Sequence, residues 1–180
     1  EENSLAGGTN SSKGLTQWGK YILLNLLKEG VVVDVAHLNR KSFWQVTKYI
    51  ENNIYCSHTG FNSLKKNLRN LTDKQIERII QSNGFVGLFF FDKCIKVGEK
   101  ERFNIEDIIK NLNFFASRWE YDCLGIGSDF YGIDVYPKEL ENYDKFGELS
   151  ERLKEEGWAE EQINKIFYNN FFSKYLNKGE

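Results

Sequence analysis

Histidine and cysteine are scarce in this 180-residue chain, with two of the first and three of the second. Cys56, Cys94 and Cys123 are odd in number and widely spaced, which excludes a disulfide framework and a four-thiolate zinc site. Buried thiols in a reducing compartment are the remaining expectation. Long apolar runs are missing as well. The longest, such as Phe85–Phe91, are strand-sized and far short of the ~20 residues a membrane helix needs, so no membrane segment is expected. A strong charge of either sign is also absent. The net charge is −2 and no basic block exceeds a few residues, which argues against nucleic acid as the main partner. The opening EENSLAGG has neither an initiator Met nor a signal-peptide pattern, and the chain is rich in Asn, Lys and Ile. A cytoplasmic, prokaryotic protein is the expectation.

What is present is enough apolar and aromatic material, 41% and 15%, for a packed core. Thr16 can cap a helix over Gln17–Glu29 that stops at Gly30. Val31–Ala36 reads as a strand, apolar at nearly every position, as a parallel strand buried on both faces should be. An amphipathic helix over Lys41–Asn52 and a strand over Ile54–Ser57 follow. Thr72 and Gln75 form a capping box for a helix reaching Ser82. Phe85–Phe91 is a third strand, Asn104 caps a helix from Ile105 to about Arg118, and Cys123–Gly127 is a fourth strand. Helices near Lys145–Glu156, Glu160–Tyr168 and Phe171–Leu176 close the chain. Strict alternation of helix and strand implies an α/β fold with a parallel sheet. Four strands are too few for a closed barrel.

Both histidines end strand-like runs, His37 in VVVDVAH and His58 in IYCSH, 21 positions apart with one helix between them. That length suits a strand, a crossover helix and a parallel strand. Residues just past the ends of two such strands lie side by side, ~4.8 Å apart. Two imidazoles delivered there can share one metal ion. A lone histidine after a strand is usually a hydrogen-bonded structural residue, but two at equivalent strand ends shift the balance toward a metal pair.

Asp129 joins them in LGIGSDFYG, past the fourth strand and at the same end of the sheet. GIGSDFYG looks like a phosphate loop, but no helix starts directly after it, which argues against a nucleotide site. Arg69, in NLRNLTD before a helix cap, could clamp a substrate carboxylate at two points. From the pattern alone, a solvated surface arginine is the better reading of that residue.

Four stretches taken together carry a resemblance: GLTQWGKYILLNLLKEGVVVDVAHL, CSHTG, LRNLTDKQIERIIQSNGFVGLFFF and LGIGSDFYGID. In this order and at this spacing they resemble the renal (membrane) dipeptidase family, zinc-dependent dipeptidases built on a (β/α)8 barrel. The resemblance runs from about Asn3 to the final helices. It implies two zinc ions joined by a bridging carboxylate and a water or hydroxide. It implies that His37 and His58 ligate one of those zincs, that Arg69 holds the substrate carboxylate or the tetrahedral intermediate, and that Asp129 orients or deprotonates the water.

The departures set the limits of that resemblance. The family's His-x-Asp pair, its bridging Glu and a further substrate-binding His have no counterpart here, since both histidines are already used. Phe91 stands where the family often has Tyr, and Tyr168-Asn169-Asn170 where it often has Gly-Gly-Asn. The chain is therefore expected to be the C-terminal half, about strands 5–8, of a TIM-type barrel, with the N-terminal half absent. Its expected partners are a dipeptide substrate and the missing half or a second chain, with a homo-oligomer as one route. The alternatives are a non-catalytic half-barrel assembly module and another metal-dependent amidohydrolase. A half-barrel would bare an inner face, with Val31, Val33, Val35, Phe85, Leu88 and Phe90 among the residues that could line it.

Overall fold

The computed structural model describes residues 3–98, 102–119 and 121–176. Helix α1 (Gln17–Lys28) starts at Thr16, whose hydroxyl accepts from the Gly19 amide at 2.9 Å. Helix α2 spans Arg40–Val46, and strand β1 spans Tyr55–Thr59. Helix α3 (Asp73–Gln81) carries the Thr72/Gln75 capping box and leads through a tight turn to strand β2 (Phe85–Leu88). A single-turn helix α4 (Asp92–Ile95), a long helix α5 (Ile105–Trp119) and strand β3 (Leu124–Ile126) follow. The strands lie in the order β1-β2-β3, all parallel, so each crossover runs to the adjacent strand. This is the α/β architecture that the alternating pattern implies.

Three strands form among the described residues, where four were expected. The Val31–Ala36 run makes one parallel bridge, Asp34 to Tyr55, with the Val35 amide donating to the Tyr55 carbonyl at 2.9 Å. The reason lies in Asp34. Its carboxylate accepts from the Ser57 and Ala36 amides, at 3.0 and 2.9 Å, and so takes a donor of the neighbouring strand that a backbone carbonyl would otherwise use. Val31 and Val32 stay exposed, while Val35 is buried.

Helix α2 is shorter than the Lys41–Asn52 segment expected. The carbonyls of Thr47 and Ile50 are taken by the Arg78 guanidinium, at 3.1 and 2.8 Å, instead of by a further helical turn. Strand β2 ends at Leu88, yet its ladder bonds continue. Phe89 donates to the Thr59 carbonyl and Phe90 to the Ser128 carbonyl, both at 3.0 Å, which ties the ends of all three strands together.

The chain closes with 3₁₀ turn Tyr143–Lys145, helix α6 (Phe146–Glu155), and α7 (Glu160–Asn164) running through a π segment (Lys165–Asn169) into α8 (Asn170–Tyr175). Two or three helices were expected over this closing region, and its last two segments run on as one. Buried Asn170 carries the helix on and donates to the carbonyls of Tyr121 and Leu124, at 2.6 and 2.8 Å. Phe171 and Tyr175 then pack on Tyr55 and Phe85, with ring centroids 5.0–6.3 Å apart. Of the residues expected on a bare face, Val35, Phe85, Leu88 and Phe90 are buried in this chain's own core, and Val31 is exposed. No helix among the described residues is long and apolar enough to cross a membrane.

Candidate metal centre

His37, His58, Arg69 and Asp129 come together at the C-terminal ends of the strands, the end where parallel sheets place ligand sites. His58 is the fourth residue of β1. His37 follows the Asp34 bridge in a left-handed turn, with φ of 66°. The N-terminal segment holds this turn from behind: Gly8 bridges to Leu38 and the Thr9 hydroxyl donates to the His37 carbonyl at 3.2 Å. Asp129 follows β3 with φ of 61°. Left-handed backbone at a residue with a Cβ is uncommon and clusters at functional sites.

The two Nε2 atoms of His37 and His58 are 2.9 Å apart. Two zinc–nitrogen bonds of ~2.0–2.1 Å at a tetrahedral angle would set them ~3.3 Å apart. A shift of a few tenths of an ångström separates the two arrangements. His58 Nε2 also lies 4.0 Å from the Asp129 carboxylate. Arg69 donates from Nη2 to the His58 carbonyl at 3.1 Å and lies over the Phe89 ring, 5.4 Å from its centroid. His37, Arg69 and Asp129 line one cavity of about 280 Å³, with Thr9, Asn10 and Asn67 at its wall. His58 and Asp129 also border a larger cavity of about 480 Å³ on the sheet side, reaching Phe146, Phe167 and Phe171.

Burial, and after it the nearby Arg69 cation, hold His58 below the usual histidine range, so its imidazole is neutral at pH 7 and keeps a lone pair for a ligand. Among the described residues, no group of three or more His, Cys, Asp or Glu is placed to hold a metal ion. The donor set of this chain therefore fits a metal as a pair of imidazoles that needs further ligands. The cysteines are not among them. All three are free and buried, and burial pushes the Cys56 thiol up to about 12.

Two residues the motif reading passed over belong to this centre. Ser57 contacts His58 Nδ1 at 2.6 Å, and its hydroxyl donates to the Asp34 carboxylate. The available signal was one charged residue inside the apolar run VVVDVA.

The family model for membrane dipeptidase, peptidase family M19, matches residues 2–174. This chain belongs to the membrane dipeptidase family. An uncharacterised protein from the pqqA 5′ region of Klebsiella pneumoniae is 25% identical over 170 residues, covering 93% of this chain and 62% of that protein. An uncharacterised dipeptidase of Schizosaccharomyces pombe is 27% identical over 151 residues, covering 83% of this chain and 37% of that one. A solved metallopeptidase from Rhodobacter sphaeroides, bound to a phosphinate mimic of the dipeptide L-Ala-D-Ala, superposes with a TM-score of 0.86 at 24% identity. That superposition covers 96% of this chain and 50% of the other, and it shows a shared fold. The chain thus spans between about a third and two thirds of these relatives' lengths. M19 dipeptidases are metal-dependent peptidases.

Proposed function

We propose that this chain is the C-terminal half, about strands 5–8, of a (β/α)8 dipeptidase barrel, and that the complete enzyme hydrolyses dipeptides with two zinc ions. His37 and His58 are the imidazole ligands of one zinc. The observation that carries this reading is the 2.9 Å approach of their Nε2 atoms beside Arg69 and Asp129. Bound there, zinc supplies an acidified water and a polarised scissile carbonyl.

The protein groups divide the remaining work. Arg69 offers a planar, permanently charged donor to the substrate carboxylate or to the oxyanion. Asp129 accepts a hydrogen bond from the attacking water and takes its proton. The remaining ligands, including a bridging carboxylate, come from the other half of the barrel, on the same polypeptide or on a second chain, and a homo-oligomer is one way to close it. The three free thiols support a reducing, cytoplasmic location.

Two measurements test the proposal. Zinc affinity of the 180-residue chain, read by competition with a chromophoric chelator, should fall at least about tenfold in H37A and in H58A. Hydrolysis of a dipeptide should be near background for this chain alone and appear when a chain bearing the missing half is supplied. Equal zinc affinity in all three proteins would refute the ligand pair. Rapid zinc-dependent turnover by this chain alone would refute the missing half.

A further inference from the structure

Asp34 and Ser57 form a hydrogen-bonded line behind His58, and donor counting gives that line a direction. Asp34 Oδ1 accepts from the Ser57 and Ala36 amides at 3.0 and 2.9 Å. Asp34 Oδ2 accepts from the Ser57 hydroxyl. With three donors converging on it, the carboxylate is the acceptor, and a serine hydroxyl has one proton to give. That proton points at Asp34. The Ser57 oxygen therefore meets His58 Nδ1, 2.6 Å away, with a lone pair, and the proton of that contact belongs to Nδ1. A neutral imidazole protonated on Nδ1 is bare on Nε2. His58 Nε2 is the nitrogen that faces His37.

We propose that Asp34 and Ser57 are positioning residues that fix His58 as its Nδ1–H tautomer and present an unprotonated Nε2 to the metal. The proposal rests on the reading of His58 as a zinc ligand. Metal-bound histidines commonly donate their second N–H to an oxygen acceptor, which sets ring orientation and basicity. Here the acceptor is a serine whose own polarity is set by an aspartate 23 positions upstream.

The relay makes an unusual demand on substitution. In D34N the side chain can still accept from the two amides, but its NH₂ now donates to Ser57. The Ser57 hydroxyl must then turn and donate to His58 Nδ1, which moves the imidazole proton to Nε2 and blocks the ligand position. S57A removes the link and leaves the tautomer unfixed, whereas S57T keeps a hydroxyl and should preserve it.

The decisive experiment is ¹⁵N NMR of the histidine side chains in the metal-free protein at pH 8, with His58 assigned by comparison with H37Q. Zinc affinity is measured alongside by chelator competition, and far-UV circular dichroism checks the fold. Wild type and S57T should show His58 protonated on Nδ1. D34N should show it protonated on Nε2 and should bind zinc about 10–100-fold more weakly. A wild-type His58 protonated on Nε2 overturns the proposal, and so does a folded D34N with unchanged tautomer. A tautomer that inverts while zinc affinity stays constant overturns the claim that it governs ligation. If wild type is protonated on Nδ1, D34N inverts it, and wild type binds no zinc, the relay stands and the reading of His58 as a ligand falls.

Discussion

Gly87→Ala should destabilise this fold, and Gly147→Ala should stabilise it. Gly87 sits in the middle of β2, opposite Gly125 of β3. A methyl group built on Gly87 overlaps the Ser57 carbonyl oxygen and lies 3.3 Å from the Gly127 Cα. Both obstacles are backbone, so no rotamer change relieves the clash. The strand must move by about an ångström, or β1 must. Overpacking a close-packed interior costs about 1–3 kcal/mol, and the upper end applies where only backbone can yield. We therefore expect a loss of about 3 kcal/mol, from a total that for native domains is ~5–15 kcal/mol.

Gly147 is the internal control. It lies in the first turn of α6, and a methyl there meets nothing within 4 Å. Replacing a glycine at such a helical position lowers unfolded-state entropy and gains about 0.5–1 kcal/mol. Urea unfolding followed by circular dichroism gives both values, and for a chain of this size the melting temperature should fall ~6–12 °C in one variant and rise ~1–4 °C in the other. G87A should also weaken zinc binding, because the displaced Ser57 is the hydrogen-bond partner of His58. A G87A protein within 1 kcal/mol of wild type would refute the reasoning, since it would mean that the sheet opens at no cost and that Ser57 does not need its present place.

Asp107 is fully buried and accepts from the half-buried amides of Val97 and Asn104, at 3.2 and 3.3 Å, so D107A should cost about 1–3 kcal/mol in urea unfolding by leaving both donors without their acceptor. Burial pushes the thiols of Cys56, Cys94 and Cys123 from the ordinary 9.0 up to about 12, 11 and 11. Their folded values lie above the unfolded ones, so the stabilisation they represent is whole below about pH 9 and is lost as pH rises toward 11–12. Urea midpoints should fall across that window, and alkylation at pH 8 should proceed at the rate of unfolding. In the complete dipeptidase, D129N should lower kcat/KM by about 10²–10⁴ with zinc content unchanged, as expected for a lost proton acceptor. A fall that tracks lost metal would instead make Asp129 a structural neighbour of His58.

The elements that were legible in the sequence are those whose side chains agree with their backbones. Thr16, and Thr72 with Gln75, mark true helix starts because the caps satisfy amides locally. Phe85–Leu88 and Leu124–Ile126 are strands because their apolar positions are buried between helical layers. Val31–Ala36 looks like a strand by the same criterion and is one bridge long, because a side chain enters the hydrogen-bond ladder. The Asn104 cap shows a similar exchange. Asn104 precedes α5 as expected, but its side-chain oxygen has no hydrogen-bond partner among the described residues, and Asp107, three residues on, accepts from the Asn104 amide. In both places the competition between side-chain and backbone acceptors is decided by geometry that no periodicity records.

The site follows the same logic one level up. His37 and His58 were legible because the chain has no other histidines, and their spacing suits neighbouring strand ends. Their proton positions were not legible, and those positions decide what the pair can do. With His58 protonated on Nδ1, the contact between the two Nε2 atoms places the other proton on His37 Nε2, and a metal entering between the rings must displace it. With His58 protonated on Nε2, that nitrogen would donate to a bare His37 Nε2, and the ligand position of His58 would carry the proton. Asp34 separates these cases, and it does so from a position that reads in the sequence as a defect in an apolar run. A carboxylate in such a run must find donors, and here it finds them on the strand that carries the ligand. The residue that spoils the strand pattern is thus the residue that sets the chemistry of the histidine on the next strand.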